Sequence, residues 1–366
     1  MSTRKDKFTN KDRYFMKLAI NLAKSQIGLT GLNPSVGCVV VKNNELLSFG
    51  VTNINGRPHA ETIALKNNKS KYVGSTVYLT LEPCSHYGKT PPCTNTLIKS
   101  KVKKVIYSIE DMDIRSFNKS KKILKSKKIL TKSGLLRSET NKLYKNYNYI
   151  KKNKLPYITG KLACSSDFHI ARGKKYITNE YSRNVAHQLR FKNQGLLTSY
   201  KTINSDNPKL NCRINGLENF SPIKIIIDKD LKINLNSYII KNSSNKKVII
   251  FHNSKNFLKI KNLKMKGVKL IYFKINGDNY FDLKKILKKI YELGIHNLLV
   301  ECGKSLTNEM ILKSLFNEFY LFRSNKVLNY KDKINVLDIN RNLNKKFKNR
   351  NLVNTFLDKD TLIHYY

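Results

Sequence analysis

The sequence predicts an α/β protein of two domains, and three observations carry that expectation. Apolar runs of strand length alternate with segments of helical periodicity along most of the chain. The 366 residues exceed the about 250–300 at which a single core stops growing. A polar, basic stretch, "ETNKLYKNYNYIKKNKLP", ends near Pro156 and interrupts the alternation. The expected domains are residues 1–150 and 155–366.

Each element has its own signal. In "KDRYFMKLAINLAKSQIG", Phe15, Leu18, Ala19, Leu22, Ala23 and Ile27 recur at three- and four-residue steps, so a helix is expected that Gly28 ends. "VGCVVVK" and "LLSFGV" flank "NNE" as a hairpin. A helix is expected from His59, a strand at 76–81, a short helix at 94–101 and a strand at 102–109. The stretch 139–155 reads as one polar helix. Beyond it, strands are expected at 157–164, 195–200, 223–228, 248–251, 268–273, 297–302 and 318–323. Helices are expected at 179–193, 282–293 and 305–315.

Composition narrows the function classes. An apolar fraction of 40% supports a packed core rather than disorder. The polar start and the lack of any run near the ~18 apolar residues of a membrane span point to a cytoplasmic protein with no membrane partner. Six scattered cysteines without C-x-x-C are expected as free thiols or metal ligands, not a disulfide framework. Seventy Lys and Arg against 25 Asp and Glu give a net charge of +45. These lysines are spread over the whole length among Asn and Ile, so no specific nucleic-acid surface is expected, only salt-sensitive attraction to polyanions.

The stretch "EPCSHYGKTPPC" holds two cysteines, Cys84 and Cys93, and His59 in "RPHAE" is the nearest third ligand. One His and two Cys with an open fourth position form a catalytic zinc set. Glu61, two residues past His59, is the candidate proton carrier, as in zinc deaminases. Zinc lowers the pKa of its water toward ~7. Cys84 follows the strand 76–81 where a helix N-terminus would favour the thiolate. His86 is the rival ligand, but it lacks such a Glu partner.

"NPSVGCVVV", "PHAE" and "TLEPCSHYGKTPPC" together resemble the deaminase half of the bifunctional riboflavin-biosynthesis RibD family. Eight residues separate the cysteines, unlike the P-C-x-x-C of nucleic-acid deaminases. The resemblance implies a cytidine-deaminase-like fold, one zinc per chain and a pyrimidine ribosyl phosphate substrate, with Asn33, His86 and Lys89 as substrate-contact candidates.

In the second half, "CGKS" lacks the Gly a Walker loop needs at Leu298, and no G-x-G-x-x-G occurs, so a Rossmann domain is not supported. Gly303 feeding a helix can still hold phosphate. "PYITGKLACSSD", "LLTSYKTINSDNPKLNCR", "IIID" and "LLVECG" resemble the reductase half of the same family. That implies a dihydrofolate-reductase-like fold using NADPH. Carried over by position, Cys164, Tyr176, Thr202, Asp206, Gly303, Lys304, Ser305, Leu306, Thr307, Asn308 and Glu309 fall on cofactor contacts. Lys174, Arg190, Leu210, Arg213 and Glu301 fall on substrate contacts. The chain departs from the family pattern at Phe168 (for Gly), Tyr176 (for Trp), Cys302, and Ser324-Asn325-Lys326 (for A-P-K), and between Ala171 and Tyr176 it is a few residues short.

The expected activity is deamination of 2,5-diamino-6-(ribosylamino)pyrimidin-4-one 5′-phosphate, then NADPH reduction of its ribosyl chain. No acid or base for the second step is evident in the sequence. Two rivals stay open: a second half kept for assembly alone, and a nucleic-acid deaminase. Homo-oligomer formation also stays open.

Overall fold

The computed structural model describes residues 8–66, 69–170, 176–243, 247–329 and 335–366. The chain divides into two compact units at Lys154/Leu155.

The first unit holds five strands, β1 Gly37–Lys42, β2 Glu45–Val51, β3 Thr76–Leu81, β4 Lys104–Ile109 and β5 Leu130–Ser133, in the order β2-β1-β3-β4-β5. β1 pairs antiparallel with β2 and β3, and β3, β4 and β5 are parallel. Both faces are covered, which is why β1 reads as an unbroken apolar run. Cys38, Val40, Val77 and Leu79 pack with Ala60, Ala64 and Leu97 on one side. Val39, Val41, Tyr78 and Ile106 pack with Phe15, Met16, Ala19 and Ile20 on the other.

The first helix, Asn10–Ser25, starts at a capping box between Thr9 and Asp12. It buries Met16 and Ile20 completely and leaves Ile27, beyond its end, exposed. The expected stripe is thus rotated toward Met16 and Ile20, because Gly37 admits the helix backbone. A Cβ at Gly37 would lie 1.9 Å from the Ala19 carbonyl oxygen.

The expected single helix at 139–155 is two, Arg137–Leu143 and Lys145–Asn153. Tyr144 separates them, and its hydroxyl is buried against Thr80 Oγ1 at 2.6 Å and donates to the Ser35 carbonyl at 2.8 Å.

The second unit holds nine strands: β6 Tyr157–Cys164, β7 Gly195–Ser199, β8 Ile223–Ile227, β9 Val248–His252, β10 Lys269–Tyr272, β11 Asn297–Val300, β12 Glu318–Arg323, β13 Arg350–Leu352 and β14 Thr361–Tyr365. Their order is β10-β9-β8-β7-β11-β6-β12-β14-β13. All pairings from β10 to β12 are parallel, and β14 and β13 close the edge antiparallel. Alternate residues of the central strands feed two cores: Leu197, Ile225 and Leu298 one, Leu196, Ile226 and Leu299 the other.

Several elements escaped the sequence reading. β5 and β13 are short edge strands, β14 is a short strand between β12 and β13, the helix Tyr200–Asp206 is short, and the helices Lys119–Ser126, Phe257–Met265 and Leu337–Lys346 are rich in Lys or Asn. The strand expected to reach residue 200 stops at Ser199, whose side chain caps the next helix at Thr202 N. Among the described residues no helix is long and apolar enough to cross a membrane. All six cysteines are free.

Candidate active sites and family

In the first unit, His59 is the N-cap of the helix Ala60–Ala64, which places Glu61 in its first turn. Gly50 on β2 lets this helix sit against the sheet, since a Cβ there would lie 2.4 Å from the Ala60 carbonyl oxygen. Cys93 opens the helix Cys93–Lys99, while Cys84 lies in the loop after β3. No helix begins at Cys84, contrary to expectation. Its sulfur instead receives the backbone N–H of Cys93 at 3.2 Å, so the electropositive helix end that favours a thiolate belongs to Cys93.

The ligand atoms of His59, Cys84 and Cys93 all lie within 4.8 Å of one another. His59 Nδ1 is 3.3 Å from Cys93 Sγ and 3.7 Å from Cys84 Sγ. Hydrogen bonding from Cys93 brings the Cys84 thiol down to about 4, against its burial and helped by His59. Glu61 is buried; desolvation first, and then the neighbouring Cys84 charge, raise its carboxyl to about 7. A preformed thiolate, a second thiol and an imidazole on one point fit a zinc ion by donor type and number.

His86 stands apart from this trio: its Nδ1 is 2.9 Å from Ser116 Oγ. Asn33 donates to the Gly56 carbonyl at 2.9 Å, and Lys89 is exposed. A buried residue that the sequence reading missed, Glu82, holds the loop carrying Ser116. Its carboxylate accepts from Asp111 N (3.2 Å), Asn118 N (3.0 Å), Ser120 N (3.2 Å) and Ser120 Oγ (2.7 Å).

The second unit carries a cavity of about 850 Å³ over the C-terminal ends of β7, β8 and β11. Thr202, Asp206, Gly303, Lys304, Ser305, Leu306, Asn308 and Glu309 line it, with Lys201, Lys229 and Tyr280. Gly303 caps the helix Lys304–Leu312 without a side-chain bond, which suits an anion at its first-turn N–H groups. Three cofactor candidates lie elsewhere. Thr307 is buried beneath the turn, its hydroxyl 3.2 Å from both the Cys302 sulfur and carbonyl. Cys164 is wholly buried at the end of β6, where burial pushes its thiol up to about 12. Tyr176 lies under the Arg183 guanidinium, 4.7 Å from ring to carbon.

Tyr176 instead lines a smaller pocket of about 160 Å³ with Lys161, Arg183, His187, Arg190 and Arg213. Arg190 grips Glu301 with two bonds, Nε to Oε1 at 2.7 Å and Nη2 to Oε2 at 2.9 Å. Burial opposes the Glu301 charge, yet Arg190 and Lys161 hold its carboxyl at about 2. Leu210 is buried with positive φ in the core cluster of Leu189, Leu196 and Ile203, not in the lining of this pocket, and Lys174 lies outside the described residues. Lys161 was missed by the sequence reading. Its ammonium is 3.9 Å from Glu301 and over the Phe322 ring, and burial lowers its pKa. The available signal was a lysine inside a strand that is otherwise uncharged.

The departing motifs pack on each other. Phe168 keeps the left-handed backbone (φ 60°) that a Gly would favour there, and Arg323 stacks over its ring at 4.6 Å. Ser166 N–H donates to the Lys326 carbonyl at 2.9 Å, and Arg323 Nη2 to the Ser166 carbonyl at 2.7 Å.

Residues 9–109 match the cytidine and deoxycytidylate deaminase zinc-binding region, and residues 156–329 match the RibD C-terminal domain. The riboflavin biosynthesis protein RibD of Aquifex aeolicus is 35% identical over 321 residues, covering 87% of this chain and 88% of that one. The Actinobacillus pleuropneumoniae protein of that name is 32% identical over 87% of this chain and 85% of that one. The crystal structure of Acinetobacter baumannii RibD superposes with a TM-score of 0.82 at 26% identity, covering 97% of this chain and 98% of that one. The Thermotoga maritima deaminase/reductase superposes with a TM-score of 0.81 at 27% identity and the same coverage. The two-unit architecture, the His-Cys-Cys cluster and these likenesses agree: the chain belongs to the RibD family of riboflavin-biosynthesis proteins, in which a zinc-site deaminase half is joined to an NADP-dependent reductase half.

Proposed function

We propose that the first unit hydrolyses the ring amino group of 2,5-diamino-6-(ribosylamino)pyrimidin-4-one 5′-phosphate, and that the second reduces the resulting ribosyl-uracil to its ribityl form. The observation that carries the reading is the convergence of His59, Cys84 and Cys93 next to a buried Glu61. Zinc held by those three side chains supplies, when bound, an acidified water. Glu61 then moves the proton: its carboxylate takes one from the attacking water and returns it to the departing amine as ammonia leaves. Burial suits the task, because it brings the carboxyl near neutrality, where it both accepts and gives a proton.

In the second unit, NADPH supplies hydride when bound. The Gly303 turn with Thr202 and Asp206 forms its cavity wall, and the open N–H groups after Gly303 bind phosphate. Arg213 and Arg190 hold the substrate phosphate end, and Arg190 also orients Glu301 toward the sugar. Lys161 gives a proton to the ribose ring oxygen as the ring opens; its buried, destabilised ammonium favours release. A phosphorylated small-molecule substrate and NADPH make this a cytoplasmic activity that needs no nucleic acid, since the basic residues are dispersed over the chain.

The test supplies the pyrimidine substrate with and without NADPH and identifies products by mass. Ammonia and the ribosyl-uracil should form without NADPH, and the ribityl product only with it. Deamination with no NADPH oxidation would leave the second half as an assembly module.

A further inference from the structure

We propose that His187 is a third ligand for the phosphate end of the sugar substrate, and that it takes up a proton when the phosphate enters beside Arg190 and Arg213. The inference rests on reading the smaller pocket of the second unit as the phosphate-binding side.

His187 lies on the helix Glu180–Lys192, three residues before Arg190, so the two share one face. It lines the pocket and is 6% exposed. Its Nδ1 is 3.2 Å from the Asn211 carbonyl oxygen. A carbonyl only accepts, so Nδ1 carries the hydrogen and Nε2 keeps a lone pair. Nε2 has no hydrogen-bond partner among the described residues.

The groups around this ring are mostly cationic. Arg190 Nη1 is 3.5 Å from Nδ1, and Arg213 is tied to Asn211 Oδ1 at 2.9 Å. Lys161, Arg183 and the Tyr176 phenol line the same pocket. Cys212 and Lys224 act on Arg190, and Asp360 is engaged by Asn179 N and Ser182 Oγ in the first turn of the helix. Glu301 is the carboxylate facing the ring, and the Arg190 fork already occupies it. Burial first, then Arg190 and Arg213, bring the imidazole down to about 4, so the free pocket holds it neutral.

A phosphate dianion reverses each of these influences. It offsets the arginine charges and presents acceptor oxygens to which a neutral Nε2 cannot donate. A proton at Nε2 turns that lone-pair repulsion into a charge-assisted hydrogen bond. Binding and protonation are therefore linked, each favouring the other.

The experiment uses the full chain with 15N-labelled histidine and ribose 5-phosphate as the probe. His187→Asn assigns the resonance and keeps an N–H donor for the Asn211 carbonyl. The His187 signal should be a neutral imidazole in the free protein at neutral pH and become imidazolium on saturation. The dissociation constant should rise by up to about tenfold per pH unit above neutrality in the wild type, as one linked proton requires, and stay flat in His187→Asn. A His187 that stays neutral while Arg213→Ala still weakens binding overturns the proton uptake but spares the phosphate pocket. Ribose 5-phosphate binding that is absent, or indifferent to Arg213→Ala, overturns both.

Discussion

The two halves build their sites by different rules. In the first, three ligands and a proton carrier come from two short motifs, each set at or near the start of a helix on one sheet. In the second, the cavity and the smaller pocket draw on segments from Lys161 to Phe322. A metal site needs each donor atom, so its side chains have no substitutes. A cavity lined by many residues from several helices and strand ends is expected to tolerate the exchange of a single side chain. The departures at Cys302, buried before the Gly303 turn, and at Phe168, under Arg323, fall outside the lining of that cavity. Two α/β sheets of different strand order are thus expected to differ in sensitivity to mutation at their sites.

The largest expected effect lies in the metal site. Cys84→Ala should lose zinc and deamination together, measured by metal content and ammonia release, because two remaining ligands hold the ion poorly. Glu61→Gln should keep the metal and slow deamination by about 10²–10⁴-fold, with NADPH-dependent reduction of supplied ribosyl-uracil intact. Full zinc in Cys84→Ala would break the contrast between the halves.

The next effect probes whether the second half has an irreplaceable centre of its own. Glu301→Gln leaves Arg190 and Lys161 unpaired in a buried place, a loss of about 3–5 kcal/mol in unfolding free energy. The sign with pH follows from a folded carboxyl at about 2 against ~4.3 unfolded. The Glu301 contribution is complete above the unfolded value and is lost as pH falls toward the folded one. Urea unfolding of the wild type should therefore weaken on acidification through this window, and the Gln variant should lack that portion.

Arg213→Ala should raise the KM for the sugar phosphate roughly ten- to a hundredfold, the equivalent of ~1.5–3 kcal/mol for a lost charge-assisted bond, with NADPH affinity and deamination unchanged. An equal loss in kcat would assign Arg213 to the transition state instead.

Phe168→Gly should destabilise the second unit by about 1–3 kcal/mol. Relief of the left-handed backbone, worth about 1 kcal/mol, offsets only part of the lost packing on Arg323 and the core. Reductase turnover should stay close to wild type; a large gain would mean that the exchange impairs the cofactor cavity.

Much of the metal site was legible because its parts are local. His59 and Glu61 sit two residues apart, and the cysteines share one loop. The helix that favours the Cys84 thiolate was misplaced, because a loop conformation between Pro83 and Pro92 carries no periodic signal. The first helix was found but its buried face was rotated: apolar spacing counts Ile27 and Met16 alike, whereas Gly37 decides which approaches the sheet. Lys161 and His187 were passed over for a similar reason. A lysine in a strand and a histidine in a helix acquire meaning only from what surrounds them.

By itself, the sequence determined the α/β class, the break near Pro156, the central strands and the His-Cys-Cys-Glu chemistry. All of these rest on periodicity or on residues close along the chain. Only the tertiary structure decided that Lys161, Arg190 and Glu301 form one charged group. The sheet inserts β11 between β6 and β7, which brings Glu301 next to a lysine from β6 and to the helix leading into β7. Parallel crossovers create such neighbours across more than a hundred residues, and no local pattern of side chains encodes where a later strand will insert.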